Sequence, residues 1–132
     1  MPGGISTKEI KAYARRFEDK KKSFKPFVKK FLKEQGYVVM DDAVLTTPVD
    51  TGALRANWQI SEVSEDVAGN LAVDIENGME YASHVEYGHA TRGGGSFVQG
   101  RFMLTRAMAR VVDDMPDKFS KRVSKFLKDD GL

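Results

Sequence analysis

Apolar residues recur at helical spacing through the first third of the chain. Ile10, Tyr13, Ala14, Phe17, Phe24, Phe27, Val28, Phe31, Leu32, Val38 and Val39 follow a period of about 3.6 residues, and Lys and Arg fill the other faces. Pro26 disfavours helical geometry at Lys25, and Ser23 is a residue type that caps a new start. The pattern therefore predicts a break near 21–25, with one helix over about 7–21 and a second over about 24–46. Gly36 weakens the second helix without ending it. Pro48 ends it, because the residue before a proline is pushed toward extended geometry.

Asp50 and Thr51 bond readily to nearby backbone N–H groups and Gly52 permits a positive φ, so residues 48–56 read as a turn. The period then drops to two. Trp58-Gln59-Ile60-Ser61-Glu62-Val63 and Leu71-Ala72-Val73-Asp74-Ile75-Glu76 alternate around the turn signal Ala68-Gly69-Asn70, which predicts a β-hairpin. Asn77-Gly78 turns the chain again, into residues 81–88. Glycines at 93, 94, 95 and 100 mark 89–100 as a flexible, projecting loop. Helical spacing returns in Leu104, Ala107, Met108, Val111, Met115, Phe119, Val123 and Phe126, over about 101–127 with a kink at Pro116. Residues 1–6 read as a frayed terminus and 128–132 as a polar tail. The expectation is a single α+β domain over 1–132, with a long N-terminal helix and a C-terminal helix packed on a small antiparallel β-sheet.

Composition narrows the chemistry. The chain has no cysteine, which excludes disulfides and thiolate metal sites. No apolar run approaches the ~20 residues of a membrane span, so no membrane partner is expected. The start of the chain lacks the apolar core of a signal peptide, which predicts that it stays in the cytoplasm.

The net charge of +2 conceals an uneven distribution. Residues 1–35 carry eleven Lys/Arg against four Asp/Glu, residues 36–98 two against ten, and residues 99–132 eight against five. Basic ends and an acidic middle suit head-to-tail association of copies, because opposite patches attract.

Four chemical readings compete. Val49-Asp50-Thr51-Gly52-Ala53 matches the catalytic triplet of aspartic proteases, in which two carboxylates share a proton. Such enzymes are almost wholly β, whereas Asp50 here follows a long basic helix. On a strand His84 and Glu86 would share a face, but His89 lies past Gly88 and no His-Glu-x-x-His pattern exists, and the triple glycine is not followed by the Gly-Lys-Ser/Thr of a phosphate loop. No cofactor is therefore expected. Lys8, Lys11, Arg15, Arg16, Lys20, Lys21 and Lys22 give the first helix a face for phosphates, and a DNA-binding accessory protein is the alternative reading.

Three ordered patterns carry a resemblance. They are Pro48-Val49-Asp50-Thr51-Gly52-Ala53-Leu54-Arg55 before a strand, Tyr81-Ala82-Ser83-His84-Val85-Glu86-Tyr87-Gly88 before the glycine loop, and Arg101-Phe102-Met103-Leu104-Thr105-Arg106-Ala107 opening the last helix. Over about residues 40–110 the chain resembles the tail-component family of long-tailed bacteriophages and prophages, the small tail-completion or neck proteins of lambda-like siphophages. Many members have a proline where this chain has Arg106.

The resemblance implies a structural virion protein without catalysis, a homo-oligomeric ring, expected to be a hexamer, that joins head to tail around the DNA channel. Its partners would be other copies of itself, further neck, connector and tail-tube proteins, and genomic DNA passing through. On this reading Asp50, Thr51 and Gly52 fix the angle between helix and sheet, and Arg55 forms an ion pair with Glu86, within one subunit or across the ring. Trp58, Tyr81 and Tyr87 anchor the sheet, and the 89–100 loop is an assembly element. Pro48, Leu54, Gly88, Phe102 and Leu104 complete the motif, and the basic helix meets an acidic ring or the DNA.

Overall fold

The computed structural model describes residues 6–49 and 52–129. Helix α1 (Thr7–Thr46) is a single run of 40 residues. It opens at a capping box, in which Ser6 Oγ accepts from Glu9 N at 3.1 Å and a Glu9 carboxylate oxygen accepts from Ser6 N at 3.3 Å.

The expected break at 21–25 is corrected: Pro26 sits inside α1. Ser23 does not cap a second helix. Its hydroxyl lies 3.1 Å from the carbonyls of both Asp19 and Lys20, the back-bond a serine makes within a helix. Packing carries the helix past the proline. Phe24, Phe27 and Phe31 meet Phe119 and Phe126 of helix α4 (Met103–Lys128), with four ring pairs at centroid distances of 4.5 to 6.3 Å. An interior proline costs about 3 kcal/mol. Each aromatic pair returns about 0.5–1.5 kcal/mol beyond its burial, so four of them together offset the proline.

Further along, α1 and α4 approach through small residues. Val39 and Ala43 pack on Ala107 and Val111, and Trp58, Ile75 and Leu104 close over this core. Arg110 pairs with Asp42 at 2.6 Å and Arg122 with Glu34 at 2.9 Å along the edges of the helix pair.

The hairpin forms, with an interruption that the alternation does not announce. Strand β1 (Trp58–Ile60) pairs antiparallel with β4 (Ile75–Asn77), and β2 (Ser64–Glu65) with β3 (Leu71–Ala72). Ile60 faces Ile75, but Ser64 faces Ala72, so the register slips by one between the ladders. Ser61 N donates to Asp74 O and Asp74 N to Ser61 Oγ, both at 2.8 Å, which holds the first register. Glu62 and Val63 then share the place opposite Val73, a β-bulge. The hairpin rests on α1 at Gly36, where a Cβ would stand 2.6 Å from Ile60 Cδ1 and 3.1 Å from Val73 Cγ1. That glycine makes room for the sheet.

Residues after the hairpin depart from expectation. The stretch around His84 is a short helix, α3 (Ala82–Tyr87), so neither His84 nor Glu86 stands on a strand. The glycine-rich stretch contains a second hairpin, in which β5 (Gly88–Ala90) pairs antiparallel with β6 (Phe97–Gln99). Thr91 and Ser96 close its turn through Thr91 N to Ser96 O at 2.8 Å and Ser96 N to Thr91 Oγ1 at 3.0 Å. The fold is α+β, two helices holding small antiparallel ladders.

Candidate assembly surface

The motif residues gather where α1 ends and α4 begins. Asp50 and Thr51 lie outside the described residues. Gly52 has φ +73° and leads into the single turn α2 (Ala53–Ala56), with Leu54 buried beneath it. Arg55 reaches back to α1, where Nε donates to Val44 O at 3.1 Å and an η nitrogen donates to Leu45 O at 3.3 Å. The last turn of α1 has no basic residue of its own, so Arg55 brings a cation to the carbonyl end of that helix.

Glu86 does the converse job for α4. It is buried, with 6% of its surface exposed. One carboxylate oxygen accepts from Leu104 N at 2.9 Å, and the other accepts from Thr105 N at 2.8 Å and from Thr105 Oγ1 at 2.7 Å. The residue preceding α4, Phe102, has φ +51° and gives no side-chain cap, so Glu86 supplies the anion that the amide end needs. The expected Arg55–Glu86 ion pair is therefore corrected within the subunit. Both charges are committed, to different helix ends.

Backbone contacts lock the same corner. Arg101 N donates to Val85 O at 2.7 Å and Phe102 N to Glu86 O at 2.9 Å. Gly88 has φ +85°, and a Cβ there would run into Val98 O and lie 2.8 Å from Gly100 N. Only glycine fits that crossing.

Trp58 stands at the start of β1. It packs on the core, and its indole N–H donates to Thr47 Oγ1 at 2.8 Å, while Thr47 Oγ1 donates to Ala43 O at 2.6 Å. Tyr81 and Tyr87 are less enclosed, at 38% and 63% exposure, and Tyr87 meets Phe102 edge-on at 6.5 Å. Pro48 and Leu54 line one cavity with Tyr81 and His84, and Leu104 covers the core.

Three residues outside the reading matter here. Thr47 joins the helix end to Trp58. Asn57 Nδ2 donates to Ala53 O at 2.6 Å, and Asn77 Nδ2 donates to Leu54 O at 2.7 Å. The Asn77-Gly78 turn signal pointed to one of them, but as a bend, not as a clamp on α2.

Of the seven cations singled out on the first helix, Lys8, Lys11, Arg15, Arg16, Lys21 and Lys22 are exposed. Lys20 is turned inward instead. It is buried, donates to Phe126 O, and sits 4.1 Å from the Phe126 ring centroid. Its charge tacks the end of α4 to α1.

Among the described residues no group of three or more His, Asp or Glu is placed to hold a metal ion. His84 and His89 have ring centroids 5.4 Å apart without a third ligand beside them. No described helix is long and apolar enough to cross a membrane.

No curated protein and no solved structure matches the chain. The sequence model of the bacteriophage HK97-gp10-like family, described as a tail component, matches residues 8–88. That span holds α1, the Arg55 turn, the first hairpin and Glu86, whereas the pattern at 101–107 lies beyond it. The chain belongs to the HK97-gp10-like family of bacteriophage tail components.

Proposed function

We propose that this tail component is a neck or tail-completion subunit, and that copies of it form a ring joining head to tail around the DNA channel. Beyond family membership, the observation that carries the reading is the segregation of charge. Four cations, Lys8, Lys11, Arg15 and Arg16, lie on the exposed start of α1, and residues 58–80 carry six carboxylates and no Lys or Arg. A chain that is basic at one place and acidic at another attracts its own copies head to tail, and such contacts close into rings when the rotation permits. Exposed Phe97 and Val98 on β6 give the second hairpin an apolar surface for a neighbour. The structural role needs no catalytic group.

Electron microscopy of lysates from a phage with an interrupted copy of this gene tests the reading. DNA-filled heads beside separate, tube-complete tails are expected. Intact infectious particles would overturn it. The DNA-binding alternative rests on the same basic helix, and a salt-sensitive gel shift by the isolated monomer would favour it.

A further inference from the structure

The start of α1 is a helix without a neighbour. Every residue from 7 to 19 is exposed, roughly 20 Å of helix at about 1.5 Å per residue. Yet this arm carries an apolar stripe. Ile10, Tyr13 and Phe17 are 57%, 52% and 51% exposed, at spacings of three and four that put them on one face. The same stripe continues into Phe24, Phe27 and Phe31, where α4 covers it. The cover runs out near Lys20, which binds the carbonyl of Phe126 close to the end of α4.

The same chain presents a seat for such a stripe. An open groove of about 580 Å³ is lined by Val28, Leu32, Leu71, Val112, Met115 and Pro116, with Val112 48% exposed. Its lining is mostly apolar, and one wall, Gly69 to Leu71, belongs to the first hairpin. Over residues 7–19 the arm has four cations and three carboxylates, and with exposed Lys21 and Lys22 just beyond it the basic charge is in excess. The hairpin stretch 58–80 has six carboxylates, and only Glu62 and Glu65 are ion-paired among the described residues, to Lys33 and Lys25. Arm and groove therefore match in both apolarity and charge. They cannot meet within one chain. Phe17 and Val28 stand eleven residues apart on one unbroken helix, about 16 Å along its axis.

We infer that the arm of one copy seats Ile10, Tyr13 and Phe17 in this groove of a second copy, with its cations toward the neighbour's acidic hairpin. The inference rests on the ring reading and supplies its contact. Because arm and groove lie at different levels of the chain, a copy can give its arm to one neighbour and take one from another, the arrangement a ring requires, whereas reciprocal exchange between two copies closes a dimer.

The test uses the full chain, whose lack of cysteine makes any introduced thiol unique. Phe17→Cys and Val112→Cys proteins are mixed and oxidised, with Phe17→Cys plus Leu45→Cys as control, since Leu45 is exposed near the far end of α1. A disulfide-linked pair is expected in the first mixture only. Light scattering then compares wild type with Tyr13→Asp/Phe17→Asp and with Val112→Arg, all changes at exposed positions. The concentration for half-assembly should rise roughly tenfold or more in each variant.

Normal assembly of both variants without the 17–112 link would overturn the arm contact and leave the ring standing. A link that stops at dimers would uphold the contact and overturn the ring. A wild-type chain that stays monomeric at high concentration would overturn both. Retained assembly with loss of DNA retention in Lys11→Glu/Arg15→Glu would make the arm a DNA contact, and the proposal would fall.

Discussion

Glu86 holds Thr105 twice, accepting from its backbone N–H at 2.8 Å and from its hydroxyl at 2.7 Å through the same carboxylate oxygen. The other oxygen takes Leu104 N. A side chain eighteen residues away from Leu104 thus caps α4, in place of the residue next to the helix. Truncation to Glu86→Ala leaves two part-buried N–H groups without their acceptor and should cost about 1–2 kcal/mol in urea denaturation. Glu86→Gln keeps one acceptor and should cost about half as much. A loss under about 0.5 kcal/mol for the alanine variant would show that the cap does not stabilise the fold.

Arg55 and Glu86 serve opposite helix ends, so they should act independently in a monomer. The losses from Arg55→Ala and Glu86→Ala are expected to add within about 0.5 kcal/mol in the double variant. A coupling above about 1 kcal/mol would mean that the two charges meet after all.

Gly88 is expected to tolerate no side chain. Gly88→Ala combines a left-handed backbone with a Cβ set against the Val98 carbonyl, and should destabilise by about 2–4 kcal/mol. Gly93→Ala, also at positive φ but with nothing within 4 Å, isolates the backbone part and should cost about 1 kcal/mol. Equal losses at the two sites would remove the steric argument.

The tip of the first hairpin should loosen only in acid. Asp66 accepts from Asn70 Nδ2 at 3.0 Å and from Asn70 N at 2.8 Å, and these bonds hold its carboxyl below the ordinary value of 3.8. The Lys25 ammonium at 2.5 Å likewise lowers Glu65 below 4.5. A depressed folded pKa gives stability that is present above the ordinary value and is lost as pH falls through the folded one. Carboxyl NMR titration should therefore find Asp66 depressed in the wild type and shifted upward in Asn70→Ala. An unchanged midpoint would sever the turn from the titration.

Much of this architecture was legible. Helical periodicity located both long helices, and strict alternation located the strands around Gly69. What escaped depends on contacts between distant residues. Pro26 reads as a breaker because its local cost is visible in the sequence, whereas the aromatic rings of α4 that offset it lie more than ninety positions away. The bulge at Glu62 and Val63 is a slip of one residue, which alternation over six positions does not resolve. Residues 82–87 are too few to display a helical period. The sequence marked Arg55 and Glu86 as opposite charges within the motif, but opposite charges also suit opposite helix dipoles, and only the fold decides between the two. Thr47, Asn57 and Asn77 act through backbone carbonyls, which no residue type advertises.

The continuity of α1 through Pro26 turns the helix into a ruler. With no joint between body and arm, the arm's reach and the direction of its apolar face are set by residue count alone. One inserted residue between Lys20 and the arm would advance it by about 1.5 Å and swing the stripe by about 100°, away from any seat. Seven would lengthen it by about 10 Å while turning the face by only about 20°. Spacing between neighbours in an assembly of this chain would then be written in whole turns of one helix.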